Sequence, residues 1–261
     1  YEHRVHAILS VPKERGGPLP AIVGSHPGTT GLKLEKRADG VYGSKVNRDP
    51  RFVQITPLVR GHAVDAERVP FNHPWWGPLD SPRNHAARYW FTMMVRAIDV
   101  LAERDDLVDM TRLLATGGSQ GGALALAAAA LDDRVGLCLA DSPANCMLHE
   151  IVTKYPSFGP SLGQKPPDQS LRRFLRTLSY VDPVHLCPWI RCPTYIGCSV
   201  GDMTVHSMGP LAAYRNLTAL DATEKGFFPG PGAAHSNSAE AGAFFQSQRD
   251  RLAGVPRSDP A

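Results

Sequence analysis

The chain has 261 residues, 43% hydrophobic and 20% charged, with a net charge of +3 and a pI near 8.6. That length supports one sizeable α/β core, and basic residues this scattered along the chain do not imply a nucleic-acid partner. No apolar run reaches the ~18 residues of a membrane-spanning helix, and the alanine-rich run 123–130 is short and suits a buried helix.

Five cysteines sit mostly in apolar contexts, and the spacing of Cys187, Cys192 and Cys198 matches no usual zinc pattern. They read as buried free thiols, which favours a reducing, cytoplasmic compartment. The start at Tyr1 without Met leaves a processed, secreted form as the alternative. Neither a metal nor another cofactor is expected.

Residues 4–11 read as a strand stopped by Pro12, and residues 13–20 as a Gly/Pro-rich turn. Residues 21–25 are a short buried strand running into His26-Pro27-Gly28-Thr29-Thr30-Gly31. A strand followed by His and small residues is where an α/β-hydrolase places its second oxyanion donor. The Gly28 N–H is the candidate, because Pro27 has none; a plain Gly/Pro loop is the alternative. Residues 32–47 read as a helix, and residues 52–59 as a strand in which Pro57 marks a bend. After Arg60-Gly61-His62 comes a long loop to Pro82 that carries Trp75 and Trp76. Loops of that length in compact domains are usually functional; these aromatics either wall a pocket or cover the core. Residues 85–104 form an amphipathic helix with Tyr89, Met93, Ala97 and Val100 near one face.

The strand 111–116 leads into Thr116-Gly117-Gly118-Ser119-Gln120-Gly121-Gly122, and an Ala/Leu helix follows at 123–131. Strand, Gly-x-Ser-x-Gly, helix is the context of a nucleophile elbow. The turn is tight enough that side chains two residues either side of the serine would collide, which explains Gly117 and Gly121. Ser119 is then held out at the end of the strand, with the first N–H groups of the helix pointing at whatever it attacks. A phosphate-binding loop is the alternative, but the Gly-Lys-Ser/Thr ending and the dinucleotide spacing are both missing.

Residues 135–140 are the next strand, ended by Asp141-Ser142-Pro143. Residues 145–180 break the alternation with a Pro/Gly-rich loop (156–167) and a basic helix (171–178), and read as a cap inserted over the site. A strand at 194–199 precedes Gly201-Asp202, a helix spans 207–217, and a last strand spans 222–228. The loop Gly230-Pro231-Gly232-Ala233-Ala234-His235 and a closing helix at 239–252 complete the chain.

Alternating strands and helices imply a mostly parallel sheet with helices on both faces, within a single domain over 1–261. Sites in such sheets lie at the carboxyl ends of strands. Ser119, Asp202 and His235 each follow a strand, in the chain order of an α/β-hydrolase triad. In that chemistry His235 takes the Ser119 proton, Asp202 holds the imidazole, and the N–H groups of Gln120 and Gly28 bind the oxyanion. Asp141 and Asp221 are alternative acids, and His26, His62, His73 and His206 alternative histidines.

Several segments together resemble the acetyl xylan esterase/cephalosporin-C deacetylase family, carbohydrate esterase family 7. They are Gly118-Ser119-Gln120-Gly121-Gly122, Arg60-Gly61, the run from Arg176-Thr177-Leu178-Ser179-Tyr180 through Val181-Asp182-Pro183-Val184, Ile190-Arg191-Cys192-Pro193, and the spacing from Asp202 to Ala212-Ala213-Tyr214. The resemblance spans roughly residues 5–250. It departs at His62, where the family has Gln, at Pro27-Gly28-Thr29-Thr30 in the oxyanion loop, and at Ser236, where the family has Glu.

The resemblance implies the same five site residues, removal of short acyl groups, chiefly acetyl, from sugar or small-molecule esters, and a homo-oligomer, in this family a ring-like hexamer. The alternatives are a related α/β-hydrolase acting on another ester, an amide or a peptide-like substrate, and a non-catalytic binding protein on the same scaffold.

Overall fold

The computed structural model describes residues 7–28, 34–36, 42–44, 49–59, 79–155, 165, 168–232, 235 and 238–254. The chain enters through β1 (Ala7–Ser10), β2 (Leu19–Ser25), an antiparallel pair β3 (Leu34–Lys36) and β4 (Tyr42–Ser44), and β5 (Val53–Pro57). Then come α1 (Ala86–Ala102), β6 (Val108–Gly118), α2 (Gln120–Leu131), β7 (Leu137–Asp141), α3 (Leu148–Lys154) and α4 (Leu171–Ser179). Two short 3-10 turns, Pro183–His185 and Cys187–Trp189, lead to β8 (Thr194–Ser199), α5 (Met208–Arg215), β9 (Lys225–Gly230) and α6 (Ala239–Leu252).

Seven strands form one sheet in the order β1-β5-β2-β6-β7-β8-β9, with β1 antiparallel at one edge and every other pairing parallel. The order turns back between β2 and β6. The chain builds outward from β2 to β5 and then resumes on the other side, so loops leaving β2 and β6 part and open a crevice. Residues 26–28 and 119 lie at that switch point.

The strand alternation fills both faces. On β6, Leu113 and Ala115 join the core under α1 and α2, whereas Leu114 points to the opposite face with Ile22, Leu137, Leu139 and Phe245 of α6. Helix α2 is buried along almost its whole length. Its alanines let it lie close to the sheet while α1 covers it, and α1 contributes Trp90, Met94, Ile98 and Leu101, each 1% exposed or less. Burying one such large side chain contributes ~1.5–3 kcal/mol.

Several boundaries differ from expectation. Residues 32–47 are not a helix where the structure describes them: 34–36 and 42–44 are paired strands. Asp39-Gly40 between them is a hairpin turn signal that outweighs the helical reading. β6 begins three residues before the expected strand and β9 runs to Gly230. Pro57 closes β5 rather than bending it. Residues 60–78, including Arg60, His62, His73, Trp75 and Trp76, lie outside the described residues, as does most of the loop 156–167.

α1 starts on an unusual N-cap. The ring of His85 accepts the Ala87 N–H through Nδ1 (3.1 Å) and is buried, with no hydrogen-bond partner at Nε2. Burial pushes its pKa down to about 4, against a smaller upward pull from Asp80.

The insertion between β7 and β8 is anchored by Asp182. This buried carboxylate accepts the N–H groups of Leu148 (2.6 Å), Val184 (2.9 Å) and Met147 (3.2 Å). It thus ties the start of α3 to the end of the insertion, and burial pushes its pKa up to about 6 despite those donors. All five cysteines are free and buried, as their apolar contexts implied. Among the described residues, no helix is long and apolar enough to cross a membrane.

Candidate active site

Ser119 joins β6 to α2 with φ 57° and ψ −120°, a conformation that non-glycine residues rarely adopt and that stores strain. Its neighbours hold it there. Its N–H donates to the Asp141 carbonyl (2.9 Å), and its own carbonyl accepts from Ala144 (3.0 Å) and from Ala123 (3.1 Å), which begins the ladder of α2.

The surrounding glycines follow from contact distances. A Cβ on Gly117 would lie 2.5 Å from the Gly121 carbonyl carbon, and one on Gly121 only 2.2 Å from the Ser25 carbonyl oxygen. The collision expected at these two positions is therefore real. Gly122 adds a third that the motif did not announce, since its Cβ would meet the Asp141 carbonyl oxygen at 2.6 Å. Gly118 has room, the nearest atom being Asp141 Oδ2 at 3.6 Å.

The Gly121 contact also presses the loop after β2 onto the start of α2. Gly28 lies buried in that loop, and Gln120, fully buried, opens the helix. The first N–H groups of a helix have no partner within it. They are available beside Ser119, with the favourable end of the helix dipole behind them.

Asp202 follows β8 and His235 follows β9. The structure brings them together: His235 Nδ1 lies 2.6 Å from Asp202 Oδ2. The second oxygen, Oδ1, accepts from Thr204 N–H (2.7 Å) and Val205 N–H (3.0 Å), so the carboxylate cannot rotate freely. The Asp202 side chain is 1% exposed and that of His235 27%. An imidazole held this way keeps Nδ1–H on the carboxylate and leaves Nε2 to take and return a proton.

The competing residues have other partners. Asp141 Oδ1 accepts from the Ser142 hydroxyl (2.9 Å). Asp221 is exposed in the turn that precedes β9, at the opposite end of that strand from His235. The ring nitrogens of His26 face the carbonyls of Pro27 (2.8 Å) and Val59 (3.1 Å), fastening the loop after β2 to the end of β5. His206 packs on Tyr155 with ring centroids 4.2 Å apart and the planes tilted by 33°, and its Nδ1 accepts the Met208 N–H (3.3 Å).

Sequence reasoning missed one feature beside Ser119. Ser142, Asn145 and Met147, all in the turn after β7, have φ of 41°, 62° and 64°. The Ala144 bond to the Ser119 carbonyl belongs to this turn, so strain is shared across both loops at the site. Only Asn145 carried a signal, since Asn tolerates the left-handed region where Ser and Met do not. Among the described residues, no group of three or more His, Cys, Asp or Glu side chains is placed to hold a metal ion.

Comparison with known proteins supplies a family and a fold. The acetyl xylan esterase (AXE1) family model matches residues 1–228, a span that contains Ser119 and Asp202 and ends before His235. Acetyl esterase Axe7A of Xylanibacter ruminicola is 34% identical over 128 residues, which are 48% of this chain and 28% of that protein, so the chain spans well under half of that relative's length. The acetyl xylan esterase from Paenibacillus sp. R4 superposes with a TM-score of 0.75 at 23% identity, over 97% of this chain and 80% of that one. Acetyl xylan esterase 1 from Thermoanaerobacterium sp. JW/SL YS485 superposes at 0.70 with 19% identity, again over 97% and 80%. Pyrococcus horikoshii acylaminoacyl peptidase reaches 0.68 at 15% identity, over 100% of this chain and 41% of the peptidase. Likenesses this low in identity establish a shared α/β-hydrolase fold.

Proposed function

Because the chain belongs to the acetyl xylan esterase family, we propose that it is a serine esterase that removes short acyl groups, chiefly acetyl, from sugar or small-molecule alcohols. The observation that carries the mechanism is the strained Ser119 at the end of β6, on the same edge of the sheet as a His235 that is 2.6 Å from a buried, doubly anchored Asp202.

Ser119 Oγ attacks the ester carbonyl as His235 Nε2 takes its proton. The carbonyl π pair moves onto oxygen, and the N–H groups of Gln120 and Gly28 receive the negative charge. One such donor is worth roughly 3 kcal/mol in the transition state. Collapse breaks the bond to the alcohol oxygen, to which His235 returns the proton. Water then enters, loses a proton to the same nitrogen and attacks the acyl carbonyl; the C–Oγ bond breaks, His235 returns the proton to Ser119 Oγ, and the acid leaves. Asp202 stabilises the imidazolium and fixes its tautomer throughout.

The test is hydrolysis of p-nitrophenyl acetate, butyrate and octanoate by the wild type and by Ser119→Ala. Acetate preference that disappears in the variant is the expected result. A preference for longer chains would keep Ser119 and remove the deacetylase reading. Equal rates in both proteins would remove Ser119 itself.

A further inference from the structure

Basic residues are scattered along the sequence, but the fold gathers a few of them on one helix face. Residues 145–180 hold five Lys or Arg against two Asp or Glu. Three of the five, Arg172, Arg173 and Arg176, stand on the exposed side of α4, while Phe174 and Leu178 of the same helix are buried. Elsewhere in the fold Arg51, Arg112 and Arg134 each pair with an aspartate. Among the described residues the three guanidinium groups of α4 have no such partner.

These arginines line a groove of about 1260 Å³ between α3, α4, the turn at Pro183–His185 and Ala212 of α5. Its apolar floor includes Met147, Leu175 and Val184, with the exposed Leu171 at the edge, and its lining also carries His149 and His185. Glu150 is the one carboxylate of the described lining that is not already engaged, because the oxygens of Asp182 are taken by backbone N–H groups.

We propose that this groove binds a carboxylated oligosaccharide, an acidic form of the sugar ester on which the enzyme acts. The choice of a carbohydrate rests on the function proposed above; the preference for a carboxylated ligand rests on the groove alone. Guanidinium forks match carboxylates in shape as well as charge, and the apolar floor suits the C–H faces of sugar rings. Pockets for compact ligands run to ~1,000 Å³, so a groove of this size suits a chain of rings better than a single small anion. The described lining contains no Phe, Tyr or Trp side chain, and therefore lacks the large stacking platform that single-stranded nucleic acids use.

The experiment is calorimetric titration of the full chain with an oligogalacturonate and with a neutral xylo-oligosaccharide of equal length, at low and at raised salt. It compares the wild type with the triple variant Arg172→Gln, Arg173→Gln, Arg176→Gln. The wild type is expected to bind the acidic oligomer roughly tenfold more tightly than the neutral one, the scale of three exposed charge contacts. The triple variant loses that preference, and raised salt erodes it as screening shortens to within ~8 Å. Glu150→Gln, which removes the free rim carboxylate, is expected to tighten acidic binding about twofold.

Equal affinity for both oligomers, or unchanged acidic binding in the triple variant, overturns the proposal. So does displacement of the oligosaccharide by single-stranded DNA or anionic vesicles at equal charge concentration. Hydrolysis of p-nitrophenyl acetate, measured on the same samples, reads the proposed esterase separately and is expected to be unchanged in the triple variant. An inactive protein that still prefers the acidic oligomer would strike the function and spare the groove. An active one without that preference would do the reverse.

Discussion

His235 Nδ1 and Asp202 Oδ2 lie 2.6 Å apart, and the other Asp202 oxygen is already committed to two backbone N–H groups. The carboxylate therefore has one orientation, and so does the ring. In Asp202→Asn the Thr204 and Val205 N–H groups would claim the amide oxygen and turn the NH₂ towards His235. Nδ1 would then have to accept, which puts the proton on Nε2 and blocks its use as a base. kcat for p-nitrophenyl acetate is expected to fall ~10³–10⁴-fold with little change in KM. A loss under tenfold would show that His235 does not depend on Asp202.

Ser119 gives a prediction in which stability and activity separate. Its φ of 57° costs a non-glycine residue about 1–3 kcal/mol. Ser119→Ala and Ser119→Gly should both be inactive, but the glycine variant should be the more stable by about 1 kcal/mol or more. Urea unfolding of the two variants measures this, and equal midpoints would mean that the elbow is not strained.

The glycines around the serine should not tolerate substitution equally. Gly121→Ala puts a Cβ 2.2 Å from the Ser25 carbonyl oxygen and must push back the loop that carries Gly28. A stability loss of about 3 kcal/mol and a fall in kcat of at least ~10²-fold are expected. Gly118→Ala meets nothing closer than 3.6 Å and should change stability by less than about 1 kcal/mol. Thermal melts and acetate hydrolysis of both variants check the contrast.

His85 makes part of the stability depend on pH. Its pKa falls from 6.5 in the unfolded chain to about 4 when buried, so between these values the unfolded state binds more protons. Its contribution is present above pH 6.5 and is lost as pH falls through about 4, when protonated Nδ1 can no longer cap α1. The gap corresponds to about 3 kcal/mol. His85→Asn keeps a good N-cap without titrating. The difference in unfolding free energy between wild type and variant should move by about that much from pH 7 to pH 4. Parallel pH curves would show that His85 is not buried neutral.

The elbow was legible in the sequence because its steric demand leaves only glycine at two positions around the serine. Asp202 and His235 were legible from their place after strands, and His235 was separated from other histidines by nothing more. His26 and His206 could be set aside only once their ring partners were visible, since carbonyls and packed rings from distant segments leave no mark on the local sequence. His85 as a cap was hidden because its type rarely caps. Gly122 was hidden because the atom that excludes a side chain there belongs to the end of β7. The β3–β4 pair is hard to read because its three-residue strands are too short to show an alternation, leaving Asp39-Gly40 as the one sequence signal for it.

The five buried thiols give the molecule an internal clock. Burial pushes each thiol up, to about 11 for Cys192 and Cys198, so almost no thiolate exists at neutral pH to react. An alkylating reagent can mark a cysteine only when its own segment opens: Cys138 with β7, Cys198 with β8 beside the acid loop, and Cys146 with the turn behind Ser119. The order in which the five are labelled under native conditions is thus a record of which parts of the fold breathe first.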